Sequence, residues 1–262
     1  MHKIVIILFC LAGTLISSCK FIKIEISDKR NPTPQIILLN KHIEVSSTGI
    51  TRISKSDFFP SGFRIKENNK LIYIDPLAVN NPDLADYIFI THPHPDHFSI
   101  NDIEKISKPE TVIICPKIVA KKLSDYNYKI REVKPGDSFY LDNKLKVEAV
   151  AAYNLKSAFL WLKAHPKSKQ NVGYVFNIDT VRIYHTGDTD YIPEMENIRD
   201  IDLIMVPIGG DNLTMNAEDA ARLVNQIKPK IALPMHYDIK ERSNVDRFMN
   251  LADKIIEIRV LE

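Results

Sequence analysis

Cysteine is scarce in this chain: Cys10, Cys19 and Cys115 are the only three in 262 residues. That count excludes a disulfide-stapled fold, so the core must come from apolar burial. Neither sign of charge is in excess, with 35 Lys and Arg against 33 Asp and Glu, and no long Lys/Arg run occurs. A broad electrostatic footprint for nucleic acid is therefore missing, and none is expected as a partner. No apolar run is long enough to span a bilayer as a stable helix. Internal repeats and a composition shift that would mark a second domain are absent too. What remains is 45% hydrophobic and 26% charged residues, the balance of a globular protein. A chain of this length can bury one sizeable core, and a single α/β domain is expected.

The N-terminus follows a different logic. His2 and Lys3 make a short basic start, Ile4 to Ile16 is apolar, and Ser17-Ser-Cys19 follows. These are the flanks and length of a secretory signal. Ile16-Ser-Ser-Cys19 also resembles a bacterial lipobox, in which the cysteine becomes the lipidated first residue of the mature protein. The expectation is a lipoprotein-type signal peptide over 1–18 and a tether over 19–35, leaving the protein exported and lipid-anchored in the cell envelope. An ordinary signal cut nearby or a retained anchor are the alternatives. Cys115 would then be the one free thiol, a small buried hydrophobe in Val112-Ile-Ile-Cys115.

The chain is organised around Ile88-Phe-Ile-Thr-His-Pro-His-Pro-Asp-His-Phe98. An apolar strand, Tyr87 to Ile90, runs into a turn holding His92, His94, Asp96 and His97. Pro93 and Pro95 withhold backbone donors, so the strand cannot continue. Imidazoles and a carboxylate packed this closely at a strand end suit a borderline divalent cation such as zinc.

Other segments repeat that arrangement. A hairpin is expected from Phe63 to Lys66 and Leu71 to Ile74, ending at Asp75-Pro76; Asp75 is either a turn residue or a carboxylate orienting a ligating histidine. Ser99 caps a short helix to Ile106, and Lys117 to Ser124 reads as another. Leu145 to Ala152 leads to Tyr153-Asn154, and His165-Pro166 follows. Gly173 to Ile178 and Val181 to Tyr184 pair as a hairpin ending in His185-Thr-Gly-Asp188-Thr-Asp190. Leu203 to Pro207 is a buried strand. Asn216 and Asp219 form a capping box for a helix to Ile227. Ile231 to Pro234 leads into Met235-His236-Tyr237, and a helix over Val245 to Ala252 precedes a strand over Ile255 to Leu261. The aromatic stretches Phe58–Phe59 and Phe159–Trp161 read as core or as an apolar rim. His92 to His97, Asn154, Asp188 and His236 thus each lie just beyond an apolar strand, where α/β scaffolds carry their chemistry.

H-x-H-x-D-H, then Gly187-Asp188-Thr189 after a hairpin, then Pro234-Met-His-Tyr237 resembles the metallo-β-lactamase superfamily, and within it the L-ascorbate-6-phosphate lactonase-like hydrolases. The resemblance covers 36–262 and implies a four-layer αββα sandwich with two divalent metals at one edge, zinc before manganese or iron. It implies that His92 and His94 hold the first metal, that Asp96, His97 and His236 hold the second, and that Asp188 bridges them. The family's usual third histidine of the first site is replaced here by Asn154, and His165 is the candidate to fill the gap. If it does not, the first site should be the weaker one.

Two adjacent cations lower the pKa of a shared water and stabilise a developing oxyanion. Asp96 is placed to orient that water and Asp188 to bridge. The expectation is a metal-dependent hydrolase acting on a phosphodiester, lactone or other ester, from a small-molecule or lipid-like substrate. The alternatives are a di-iron redox protein on the same fold, disfavoured because such members carry Glu where His94 stands, and a non-catalytic metal-binding lipoprotein.

Overall fold

In the computed structural model the described residues are 24–26, 35–53, 56–80, 82–158 and 160–261. The signal segment 1–18, most of the 19–35 tether and Phe159 lie outside them. Two seven-stranded sheets carry the fold. In the first, the order is Lys129–Val133, Val112–Pro116, Tyr87–Phe89, Lys70–Ile74, Phe63–Glu67, Ile43–Ser47 and Ile37–Leu38. In the second it is Ser138–Tyr140, Leu145–Ala151, Val172–Ile178, Val181–His185, Leu203–Pro207, Ile231–Met235 and Glu257–Ile258. Each sheet joins an antiparallel meander to a parallel stretch.

Side-chain alternation sorts residues between layers. Ile72, Ile74, Phe89 and Ile114 face the second sheet, meeting Val147, Tyr174, Phe176 and Met205 in the sandwich core. Their neighbours Leu71, Tyr73, Ile88, Ile113 and Cys115 point the other way, under Ile103, Ile106, Val119 and Leu123 of the helical layer. Helices Ala217–Ile227 and Arg242–Leu251 cover the second sheet through Leu223, Val224, Val245 and Phe248. The result is the expected αββα sandwich, a single domain. Cys115 is fully buried, and burial pushes its thiol up to about 12, so it behaves as a hydrophobe.

Both N-caps form: Ser99 accepts from Asp102 N at 3.2 Å, and Asn216 from Asp219 N at 2.9 Å, while the Asp219 carboxylate, expected to complete a capping box, pairs with Lys156 at 2.7 Å. Some elements differ. The helix expected over Lys117–Ser124 is α-helical only for Lys117–Ala120 and tightens to a 3-10 turn over Lys121–Leu123. The last strand shrinks to Glu257–Ile258, because only these residues find a partner, in Ile231 and Ala232. Lys129–Val133 and Ser138–Tyr140 carry too few apolar residues to read as strands, and form as edge strands nonetheless.

A third sheet was not foreseen. Its order is Ile24–Ile26, Thr51–Ile53, Ser56–Phe59 and Tyr237–Asp238, so three residues of the tether are paired with the domain. Tyr237 pairs Phe59 and Asp238 pairs Phe58, which brings Phe58 beside His236.

The sandwich is joined beneath the histidine turn. Tyr174 sends its hydroxyl through the core to Ile90 O at 2.8 Å, and Val172 N donates to Thr91 O at 3.2 Å. A buried phenol usually finds an acceptor, and for Tyr174 that acceptor lies two residues before His92.

Candidate metal centre

The turn after Tyr87–Phe89 is held from below by Asp75, at the end of the neighbouring strand. Its Oδ1 accepts from Thr91 N at 2.8 Å, and its Oδ2 from Thr91 Oγ1 at 2.6 Å. Asp75 adopts a left-handed φ of 45° and is fully buried. The same Oδ2 stands 2.7 Å from His97 Nδ1. Both readings of Asp75 therefore hold, turn residue and orienting carboxylate. Asp75→Ala should weaken metal binding about 10–100-fold, measured by calorimetric titration; unchanged affinity would show that His97 needs no such partner.

These hydrogen bonds set the imidazole tautomers. The Thr91 hydroxyl spends its proton on Asp75, so at 2.9 Å it accepts from His92 Nδ1. The proton of His97 Nδ1 goes to Asp75, and that of His165 Nδ1 to Asn154 Oδ1 at 2.9 Å or Leu213 O at 3.1 Å. Each ring therefore turns Nε2 inward. His94 differs, presenting Nδ1.

Two donor groups result. His165 Nε2 lies 3.3 Å from His92 Nε2 and 3.1 Å from His94 Nδ1. Asp96, His97, Asp188 and His236 form the second group. There, His236 Nε2 is 3.2 Å from Asp96 Oδ2 and His97 Nε2 is 3.6 Å from it. Asp188 stands between the groups.

All seven residues singled out in the sequence are thus brought together, and Asn154 is not among the inward-facing donors. Its Oδ1 accepts from His165 N at 2.8 Å and its Nδ2 donates to Leu213 O at 2.9 Å. Asp190, which sequence reasoning passed over, accepts from Leu155 N at 2.7 Å and Lys156 N at 2.8 Å. His165 folds back beside His92 and His94, the arrangement that the expectation of a weaker first site set apart.

The electrostatics divide the same way. Burial, reinforced by His97 and His94, holds His92 well below the ordinary imidazole range. Burial also lowers His94, and takes His165 to about 4, against the pull of Asp188. These three are neutral donors. Burial would depress His97 and His236 as well, but Asp188 and Asp96 outweigh it, placing His97 well above the usual range and His236 at about 9. The same pairing keeps Asp96 and Asp188 well below ordinary carboxylates despite their burial. Positive charge is therefore favoured in the second group, and the buried Asp188 Oδ1 has no hydrogen-bond partner there. Inward-facing ring nitrogens beside carboxylates, in a field that favours a cation, fit a divalent metal, which would displace the protons on His97 and His236.

His236 is held in a left-handed conformation, φ 55°, behind Gly209. A Cβ at Gly209 would approach His236 O to 2.3 Å, a contact no side chain can make. Gly209→Ala should cost roughly 1–3 kcal/mol of stability by overpacking and weaken metal binding at the His236 group. Denaturant unfolding beside metal titration checks both; an unperturbed variant would mean the two loops separate freely.

Two facing sheets, helices outside, and a His/Asp cluster at the strand ends are the architecture of the metallo-β-lactamase fold. The β-lactamase superfamily domain matches residues 58–236. A UPF0173 protein of Pyrococcus furiosus is 33% identical over 192 residues, covering 71% of this chain and 84% of its own. A UPF0173 metal-dependent hydrolase of Staphylococcus aureus is 36% identical over 189 residues, covering 66% and 81%. A solved structure from Parabacteroides distasonis, described as a metal-dependent hydrolase, shares 29% identity with a TM-score of 0.72, over 87% of this chain and 98% of that one. The chain belongs to the metallo-β-lactamase superfamily, among its UPF0173 metal-dependent hydrolases.

Proposed function

We propose that this hydrolase holds two divalent cations, zinc before manganese or iron, and cleaves an ester-type substrate: a phosphodiester, a lactone or another ester. The observation that supports this most is the position of Asp188. Its Oδ2 lies 3.1 Å from both His97 Nε2 and His236 Nε2, 3.7 Å from His165 Nε2 and 3.8 Å from His92 Nε2. One carboxylate oxygen at the meeting point of two donor sets is what a bridging ligand requires. In this reading His92, His94 and His165 hold one cation, Asp96, His97 and His236 the other, and Asp188 both. Five imidazoles and two carboxylates are nitrogen and oxygen donors that suit zinc, and also iron or manganese.

Metal ions at such a site act as Lewis acids, lowering the pKa of water and stabilising developing oxyanions. The chain's own residues do the rest. Asp96 exposes 20% of its side chain where Asp188 exposes 2%. It is the carboxylate within reach of water entering from solvent, and its free oxygen can orient that water and hold its proton. Phe58 stands edge-on to His236, ring centroids 4.9 Å apart, and shields that imidazole from solvent. Phe59 belongs to the core, so the aromatic pair divides between packing and rim. The resemblance to lactonase-like hydrolases supports a lactone or phosphate ester before a β-lactam.

Metal analysis with a panel of ester and phosphodiester substrates tests this. Two bound metals, and turnover lost on chelation and restored by zinc, are expected. Turnover that survives exhaustive chelation would overturn it.

The proposal extends to place. Ile16-Ser-Ser-Cys19 supports acylation at Cys19 and retention at the cell envelope. Cys19→Ala should abolish acyl labelling and release the protein from membranes, since two or more acyl chains anchor stably where one does so marginally. Unacylated wild-type protein in the soluble fraction would refute it. Among the described residues no helix is long and apolar enough to cross a membrane.

A further inference from the structure

Residues 154–158 and 160–165 form a closed finger rooted beside the candidate metal centre. Asn154 N donates to His165 O at 2.8 Å, His165 N returns a bond to Asn154 Oδ1 at 2.8 Å, and Ala158 N meets Leu162 O at 2.8 Å further out. Its base is buried, yet its far end is apolar and exposed. Trp161 is 78% exposed, Leu160 66%, Leu155 49% and Leu162 39%. Leu155 stands near the base, its N–H held by Asp190; Leu160, Trp161 and Leu162 lie further out, and exposed apolar side chains grouped in this way point to something outside the molecule.

Composition identifies that something. From Asn154 to Gln170 there are four lysines, Lys156, Lys163, Lys167 and Lys169, and no acid, in a chain otherwise almost neutral. Lys156 and Lys167 are engaged with Asp219 and Glu194, while Lys163 and Lys169 are exposed at the surface. Tryptophan and leucine at a tip with lysines behind is the pattern of a segment seated in the headgroup layer of an anionic bilayer.

The third sheet supplies a separate argument. It runs from Ile24–Ile26 through two strands to Tyr237–Asp238, next to His236, a span of three strand spacings or about 14 Å. Cys19 is five residues before Ile24, at most roughly 17 Å of extended chain. The described chain therefore joins the domain at a sheet whose other edge carries the residues next to His236.

We infer that the Leu155–Leu162 finger is a membrane-docking element that seats the metal centre against an anionic lipid surface. The inference concerns the surface and stands apart from which ester is cleaved. Because Trp161 is the only tryptophan in the chain, its fluorescence reports on the fingertip alone, even where the N-terminal segment also binds lipid. Full-length protein mixed with phosphatidylglycerol-rich vesicles should show a blue-shifted Trp161 emission that brominated acyl chains quench. Leu160→Ser combined with Leu162→Ser should weaken the vesicle-dependent shift about a hundredfold in lipid concentration, with metal-dependent cleavage of a water-soluble ester unchanged. Failure of that cleavage in the wild type would count against the hydrolase reading and leave the docking result intact. Emission unmoved by vesicles would overturn the inference. So would emission already blue-shifted before lipid is added and dependent on protein concentration, which would mean that a second copy covers the tip. Equal binding to neutral phosphatidylcholine vesicles would overturn the choice of an anionic surface.

Discussion

Asp188→Ala should lower kcat/KM by roughly three to four orders of magnitude, since metal Lewis-acid catalysis is worth several kcal/mol and each tenfold is about 1.4 kcal/mol. The expectation follows from where the carboxylate sits. Its Oδ2 faces imidazoles of both donor groups, and its Oδ1 is buried without a hydrogen-bond partner. Removing it takes the shared carboxylate from both donor groups and leaves His97 and His236 facing one another with only Asp96 beside them. Asp188→Asn separates charge from shape: it keeps an oxygen in place while removing the negative charge, and should lose nearly as much activity. Steady-state kinetics with metal analysis on both variants checks this. Near-wild-type turnover in either would exclude the shared carboxylate from the mechanism.

His165→Ala should release the metal held with His92 and His94, so that stoichiometry falls from two tightly held ions to one, read by elemental analysis after dialysis. Two histidines and a shared carboxylate leave a tetrahedral zinc one protein donor short. Asn154→Ala should act more gently, weakening the same ion by about 10–100-fold, because it removes the acceptor that fixes His165 Nδ1–H and leaves the ring itself. The ordering distinguishes a donor from the residue that positions it. If His165→Ala keeps both metals while Asn154→Ala loses one, the two roles are reversed.

Much of the framework was legible in the chain because it depends on near neighbours. Alternation placed Ile72 and Ile74 on one face and Leu71 and Tyr73 on the other, and both faces proved buried in separate cores. Ser99 and Asn216 stood where an orphan backbone N–H three residues on needs an acceptor. The weakly apolar edge strands Lys129–Val133 and Ser138–Tyr140 escaped notice, since pairing with a neighbouring strand, not their own pattern, makes them strands. The small third sheet was invisible for the same reason: its members come from opposite ends of the chain.

The site divides along the same line. By itself the sequence determined the His92–His97 turn, because two prolines end a strand and the short spacing keeps four donors near one another. It also placed Asp188 and His236 at strand ends. Only the tertiary structure decided that His165 completes the first group, 73 residues from His92, and that Asn154 serves as its acceptor. It alone decided that Asp75 orients His97 across 22 residues and that Phe58 covers His236. Local patterns dictate periodicity, caps and turns. Which buried donor meets which acceptor is settled when the sheets close and most polar groups taken from water find a partner.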